Sequence, residues 1–204
     1  ASENICVIFG NIAIEWDKRN EDGRVRKYNA IFAAENGAFI ANVATQQAFF
    51  IKTLMPNYRQ FDDSRYFYDP RKLAFELGKS INDIIEPVPS NVGRLGCMLC
   101  EDGWDDDYNV SPMHILNEKQ ADLFINLSCS PYSYNKNNKR HRVFSDGAKL
   151  FGKPLLYVNN TGIQDNGKTL FTFDGESCAY NTQGNRVSVT QAYRSGSTDV
   201  SLSQ

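Results

Sequence analysis

The sequence predicts a layered α/β domain, and three observations carry that expectation. Apolar runs of strand length alternate with stretches of helical character along the 204 residues. One segment, "RKYNAIFAAENGAFIANVATQ" (26–46), places two apolar runs around Asn36-Gly37, a pair that tolerates the positive φ angles of a tight hairpin. A polar segment at 136–151 has helical length, and an all-β domain has no need of it.

From the N-terminus, "ICVIFG" (5–10) is a short apolar run ending in glycine, expected as a buried strand. The Asn36-Gly37 hairpin follows, then a loop rich in aromatics and acids over 56–70. "LAFELGKSINDIIE" (73–86) scans as a weak helix interrupted by Gly78. "RLGCMLC" (94–100) is expected as a buried strand, followed by a helix around 111–120 and the strand "DLFINLS" (122–128). A polar loop leads to the helix over 136–151, which Gly152-Lys153-Pro154 stops. "LLYVNN" (155–160) is the next strand. "LFTFDGESCAYNTQGNRVSV" (170–189) is expected as antiparallel strands with turns at Asp174-Gly175 and Gln183-Gly184. No repeat or linker divides the chain, so a single domain over 1–204 is expected.

Bulk properties exclude several classes of function. A net charge of −2 supplies no electrostatic reason for nucleic acid or an anionic membrane as partner. The basic run "NKNNKRHR" (135–142) is short and suits a solvated helix start. No apolar stretch approaches the ~20 residues of a membrane-spanning helix. Five cysteines, an odd number in an acidic chain of this size, favour a reducing compartment, and cytoplasm is the expected location.

Cys97 and Cys100 form a CxxC, but a structural zinc site needs four ligands. There is no second CxxC, and His114 and His141 stand apart in the sequence. No metal site is therefore expected. A redox pair would sit at a helix N-terminus, whereas this one ends a strand. Side chains alternate faces along a strand, so an offset of three sends the two thiols to opposite sides. Cys97 is then a small core side chain. Cys100 sits where strand becomes loop, which in open α/β folds is where ligands collect. It is the candidate nucleophile, and it requires a cation or base nearby to lower its pKa. The aspartates at 105–107 are expected as a solvated or helix-start cluster. Cys129 and Cys178 are expected to be structural or incidental.

Several spaced motifs together resemble one family, the nitrilase-type carbon–nitrogen hydrolases, and within it the glutaminase domain of glutamine-dependent NAD synthetases. "LGCMLCEDGW" (95–104) is similar to the segment carrying that family's nucleophilic cysteine. "IKTLMPNYRQFDDSRYF" (51–67) is similar to its lysine segment, and "ADLFINLSCSPYSYNK" (121–136) to the strand and loop lining its glutamine pocket. "PLLYVNNTGIQDN" (154–166) and "FDGESCAYNTQGN" (173–185) match the strands that follow. The resemblance runs from about residue 5 to about residue 190.

It implies a nitrilase-like α-β-β-α sandwich and a Glu-Lys-Cys catalytic set. The cysteine attacks the glutamine side-chain amide, ammonia leaves, and water hydrolyses the thioester. Cys100 matches the nucleophile, and Lys52 matches the lysine that holds the oxyanion. Tyr58, Phe61 and Asp63 fall on substrate-pocket positions, with Asp63 standing where the branch usually has glutamate. Glu101 is implied to hold the substrate amino group, while Ser130 and Lys136 meet the α-amino and carboxylate ends.

The general-base glutamate has no clear match. Glu3 precedes the first strand, and Glu15 in "IAIEWDK" lacks the family's surroundings. The chain is therefore expected to be incomplete at its N-terminus and inactive by itself. The resemblance implies no cofactor for the amidase step. ATP and magnesium are implied only for a synthetase domain outside these residues, which would receive the ammonia, and a homo-oligomer is implied as well. Two alternatives stand beside the ammonia-supplying glutaminase: a stand-alone amidase acting on another small amide, and a catalytically silent assembly module.

Overall fold

The computed structural model describes residues 5–167 and 169–202. Glu3 lies outside them. The chain divides into two compact units, one ending at Ala121 and the other beginning at Asp122.

The first unit opens with a long antiparallel pair, β1 (Cys6–Arg19) and β2 (Val25–Glu35). β2 continues through Asn36 (φ 52°) and Gly37 (φ 80°) into the short β3 (Ala38–Phe39), which is the hairpin expected from the sequence. β4 (Phe50–Ile51) lies along β2 further down, with Ala30 opposite Ile51. β2 alternates clearly. Tyr28, Ala30 and Ile31 are buried, and Tyr28 and Ala30 form a cluster with Ala13 and Leu73.

β1 corrects the expectation of a buried strand. Ile12, Ile14 and Trp16 are exposed, Trp16 to 69%, and Ala13 is the strand's one buried residue. An apolar run marks strand propensity, but burial also needs a neighbour on each side, and β1 is hydrogen-bonded to β2 at the edge of its sheet.

The expected weak helix over 73–86 is two pieces, α2 (Pro70–Glu76) and α3 (Ile81–Ile84), preceded by a single turn, α1 (Asp63–Tyr66). Gly78, at φ 65°, breaks the pair apart. Asp69 and Ser80 cap α2 and α3. Arg26 on β2 grips α2 through a bidentate pair with Glu76 at 2.7 and 3.0 Å, its guanidinium 3.7 Å from the centre of the Tyr68 ring.

β5 (Val88–Ser90) and β6 (Gly93–Leu99) then form an antiparallel pair. β6 ends in a 3-10 turn over Cys100–Gly103. A second such turn spans Asp105–Asp107, and α4 (Pro112–Glu118) closes the unit.

The second unit is built on a β-α-β crossover. β7 (Leu123–Ser128) runs parallel to β8 (Leu155–Asn159), and α5 (Lys136–Phe151) joins them over the span expected from the sequence. Arg140, Phe144 and Ala148 make its buried stripe, spaced four apart, and Gly152 at φ 61° ends it. β9 (Thr161–Asp165) and β10 (Leu170–Asp174) form a hairpin whose first strand the sequence did not announce. β11 (Cys178–Tyr180) pairs with β8 and with β12 (Arg186–Val189).

Candidate active site

Cys100 follows the last residue of β6 with φ at +43°. A non-glycine residue rarely adopts that conformation, and the turn it makes sets Cys100 at the strand terminus. Cys97 belongs to the strand itself. It is half-buried, which modifies the expectation of a core side chain. Burial and the nearby Cys6 push its thiol well up, so it is no rival nucleophile. None of the five cysteines forms a disulfide.

Lys52 follows β4 directly, and its N–H extends the ladder by donating to the Asn29 carbonyl at 2.9 Å. Its side chain is buried and donates to Asp63 at 2.6 Å. Local chemistry delivers Asp63 there. Pro56 O accepts from Asp63 N, Asn57 Oδ1 accepts from both Ser64 N and Ser64 Oγ, and Tyr58 O accepts from Phe61 N. Although one methylene shorter than glutamate, Asp63 reaches the ammonium. Burial alone would lower the Lys52 pKa, but the charges of Asp63, Cys100 and Asp102 more than compensate and hold it above the ordinary lysine value. A permanent cation thus acts on the Cys100 sulfur.

Glu101 is buried and accepts from the Tyr58 hydroxyl at 2.9 and 3.0 Å and from the Tyr108 hydroxyl at 3.0 Å. Burial, then the hydrogen bond to Glu101, pushes both phenols up, so they remain donors at neutral pH. Two of the three shared contacts fall on Oε1, which leaves Oε2 acceptor capacity for a further donor. Phe61 meets the Tyr58 ring edge to face at 5.5 Å, and Tyr58 is itself exposed. The first unit therefore brings Cys100, Lys52, Asp63, Glu101, Tyr58 and Phe61 into linked contacts.

Asp102, which the sequence did not single out, joins these parts. It is 3% exposed and accepts from Thr53 N at 3.0 Å and Leu54 N at 2.7 Å on Oδ1, and from Leu99 N at 3.0 Å on Oδ2. Burial pushes its carboxyl up to about 6 against the opposing pull of those N–H groups and Lys52. The aspartates beyond it differ: Asp106 and Asp107 are exposed and Asp105 is half-buried. Glu15, considered from the sequence as a base, accepts from Gln47, Lys18 and Tyr28. Burial works against its charge, but those bonds hold its carboxyl below the usual range.

Ser130 and Lys136 lie in the second unit, Ser130 on the loop that leaves the carboxyl end of β7 and Lys136 as the first residue of α5. Ser130 is buried, its N–H donating to Asn159 Oδ1 at 2.9 Å, and Lys136 Nζ donates to the Pro131 carbonyl at 2.9 Å. Asn159 Nδ2 in turn donates to Asp174, which receives both terminal nitrogens of the buried Arg140 at 3.2 and 2.9 Å. Arg140 also reaches Glu176 at 3.0 Å. This network fixes the loop from beneath and was hidden in the sequence, where Arg140 reads as one member of a solvated basic run. His141 is likewise engaged, by Tyr180 at 2.7 Å and Arg186 at 2.8 Å.

A cavity of about 90 Å³ lies beside the lysine segment, lined by Thr53, Leu54, Asn57, Arg71 and Tyr108 among others; neither Cys100 nor Lys52 lines it. Among the described residues no group of three His, Cys, Asp or Glu side chains is placed to hold a metal ion, and no helix is long and apolar enough to cross a membrane.

No family model matches the chain. Its sequence is 30% identical over 188 residues to the glutamine-dependent NAD(+) synthetase of Synechocystis sp., covering 89% of this chain and 29% of that protein. Among solved structures, the glutamine-dependent NAD+ synthetase from Acinetobacter baumannii aligns with a TM-score of 0.69 at 24% identity, over 95% of this chain and 30% of that one. The carbon–nitrogen hydrolase from Helicobacter pylori G27 aligns with a TM-score of 0.67 at 22% identity, over 91% of this chain and 59% of that one. The chain has the carbon–nitrogen hydrolase fold. It resembles the nitrilase-like part of the glutamine-dependent NAD+ synthetases and spans under a third of the length of the Synechocystis relative. The mixed α/β class and the family resemblance expected from the sequence both hold.

Proposed function

We propose that this chain is the glutamine amidohydrolase part of a glutamine-dependent NAD+ synthetase. The supporting observation is the strand-end Cys100 in the field of a buried lysine that Asp63 keeps charged. The Cys100 thiolate attacks the side-chain amide carbon of glutamine, and the tetrahedral oxyanion is held by Lys52. The C–N bond breaks, the nitrogen leaves as ammonia with an added proton, and a thioester remains. Water adds to the thioester carbon, the C–S bond breaks, and glutamate is released with the thiol restored.

Glu101 Oε2 offers an acceptor for the substrate ammonium. Tyr58 and Phe61, ring edge to face, form an aromatic wall. Proton transfer is assigned to a glutamate other than Glu15, whose oxygens are committed to three donors. The amidase step needs no cofactor. ATP and magnesium act in a synthetase domain that receives the ammonia, in a cytoplasmic homo-oligomer.

Calorimetric titration with glutamine and with a simple aliphatic amide tests the substrate. Glutamine-selective binding that is lost in Glu101→Gln supports the proposal. Equal binding of both ligands points instead to a stand-alone amidase, and binding of neither points to a silent assembly module.

A further inference from the structure

We infer that Asp102 is a positioning residue, its carboxylate fixing the lysine segment against the strand end that carries Cys100. The inference rests on the reading of Cys100 as nucleophile and Lys52 as its cation. β4 finds its ladder partner in β2, and β6 is paired with β5, so those pairings do not set the spacing of Lys52 and Cys100. Asp102 bridges them. Oδ1 takes the two N–H groups that follow Lys52, and Oδ2 takes the N–H of the residue that precedes Cys100.

One buried, rigid group thus joins segments 48 and 49 residues apart on one side and three apart on the other. Its chemistry suits that task and no other side chain of its size does. A carboxylate offers acceptors in both directions. Asparagine offers one oxygen and turns an NH2 group toward one of the donors. Alanine leaves three buried N–H groups without an acceptor. The side chain is not itself placed to touch substrate, because its oxygens are committed to backbone, so it acts through Lys52 and Cys100. The upward shift of its carboxyl to about 6 adds that the clamp carries full charge above neutral pH.

The test is a double-mutant cycle on Cys100 alkylation by iodoacetamide, followed by site-resolved mass spectrometry across pH 6–9. The expected result is that Asp102→Asn slows Cys100 alkylation by about tenfold when Lys52 is present and by less than about twofold in a Lys52→Met background. An equal factor in both backgrounds, or no effect in either, overturns the inference. A direct electrostatic effect has the opposite sign, since removing a negative charge beside a thiol speeds its ionisation.

If Asp102→Asn does not fold, the unsubstituted protein decides. The amide resonances of Thr53, Leu54 and Leu99 should then titrate with one shared midpoint, and the Cys100 alkylation profile should break at that same pH; separate midpoints, or an alkylation profile with no break there, overturn the inference. Iodoacetamide reads the thiolate without glutamine. Coupling without glutamine binding therefore defeats the proposed function alone, and glutamine binding without coupling defeats the positioning role alone.

Discussion

Lys52 and Asp63 form a buried ion pair, Nζ to Oδ2 at 2.6 Å, with only 6% and 16% of their side chains exposed. The pair keeps a cation beside Cys100 that burial by itself would discourage. Its stability contribution follows from the raised lysine pKa. It is fully present below about pH 10, the unfolded lysine value, and is lost only as pH rises through the higher folded value.

Asp63→Asn should expose that dependence. The ammonium keeps its burial and loses its counter-ion, so the Lys52 pKa falls and the fold loses about 3 kcal/mol. Denaturant titration gives the stability, and NMR titration of the lysine Nζ gives the pKa. An unchanged lysine pKa contradicts the pairing.

Cys100 holds φ at +43°, a conformation that costs an L-residue about 1 kcal/mol or more. Cys100→Gly should therefore be more stable than Cys100→Ala by about 1 kcal/mol, although glycine usually loses to alanine by a similar amount elsewhere. Thermal or denaturant unfolding of the two variants reads the difference directly.

The Asp102 carboxyl sits at about 6 in the fold, above its ordinary value near 3.8. The folded state therefore binds the proton more tightly than the unfolded chain does. Stability from this group falls as pH rises from about 4 to about 6 and is flat above, by a total of about 2–3 kcal/mol. Denaturant titrations at intervals from pH 4 to 7 should show that slope in the unsubstituted protein, and Asp102→Asn should lack it.

In the second unit, Arg140→Leu removes the partner of Asp174, which is wholly buried. Breaking such a pair costs about 3–5 kcal/mol. The loss should also free Asn159 and loosen the Ser130 loop, seen as faster hydrogen exchange at the Ser130 amide, which donates to Asn159. Protection of that amide at the unsubstituted level contradicts the network.

Local chemistry was the most legible part of the sequence. Asn36-Gly37 announced its hairpin because few other pairs accept two positive φ angles. The 136–151 helix was legible to the residue, since glycine in the left-handed region ends it at 152. What escaped depends on distant partners. The apolar run at 5–10 forms a strand, but its exposure follows from where the sheet ends, which local pattern does not encode. Asp102 looks like the first member of an acidic run, yet its three donors come from residues 53, 54 and 99. Arg140 sits in a basic stretch and is buried because Asp174 and Glu176 meet it from another hairpin and turn. Strand alternation does not reach the second of the paired thiols: Cys97 is in β6 and half-buried rather than in the core, while Cys100 lies past the strand's last residue in a 3-10 turn.

The central claim is that Cys100 is a nucleophile activated by Lys52 and aimed at glutamine. Incubating the folded chain with a thiol-reactive glutamine analogue, then mapping adducts by mass spectrometry, tests it most directly. The account predicts modification of Cys100 ahead of the exposed Cys129, protection by excess glutamine, and at least about tenfold slower modification in Lys52→Met. Labelling that follows cysteine exposure, with Cys129 first and no effect of glutamine or of Lys52→Met, would contradict it.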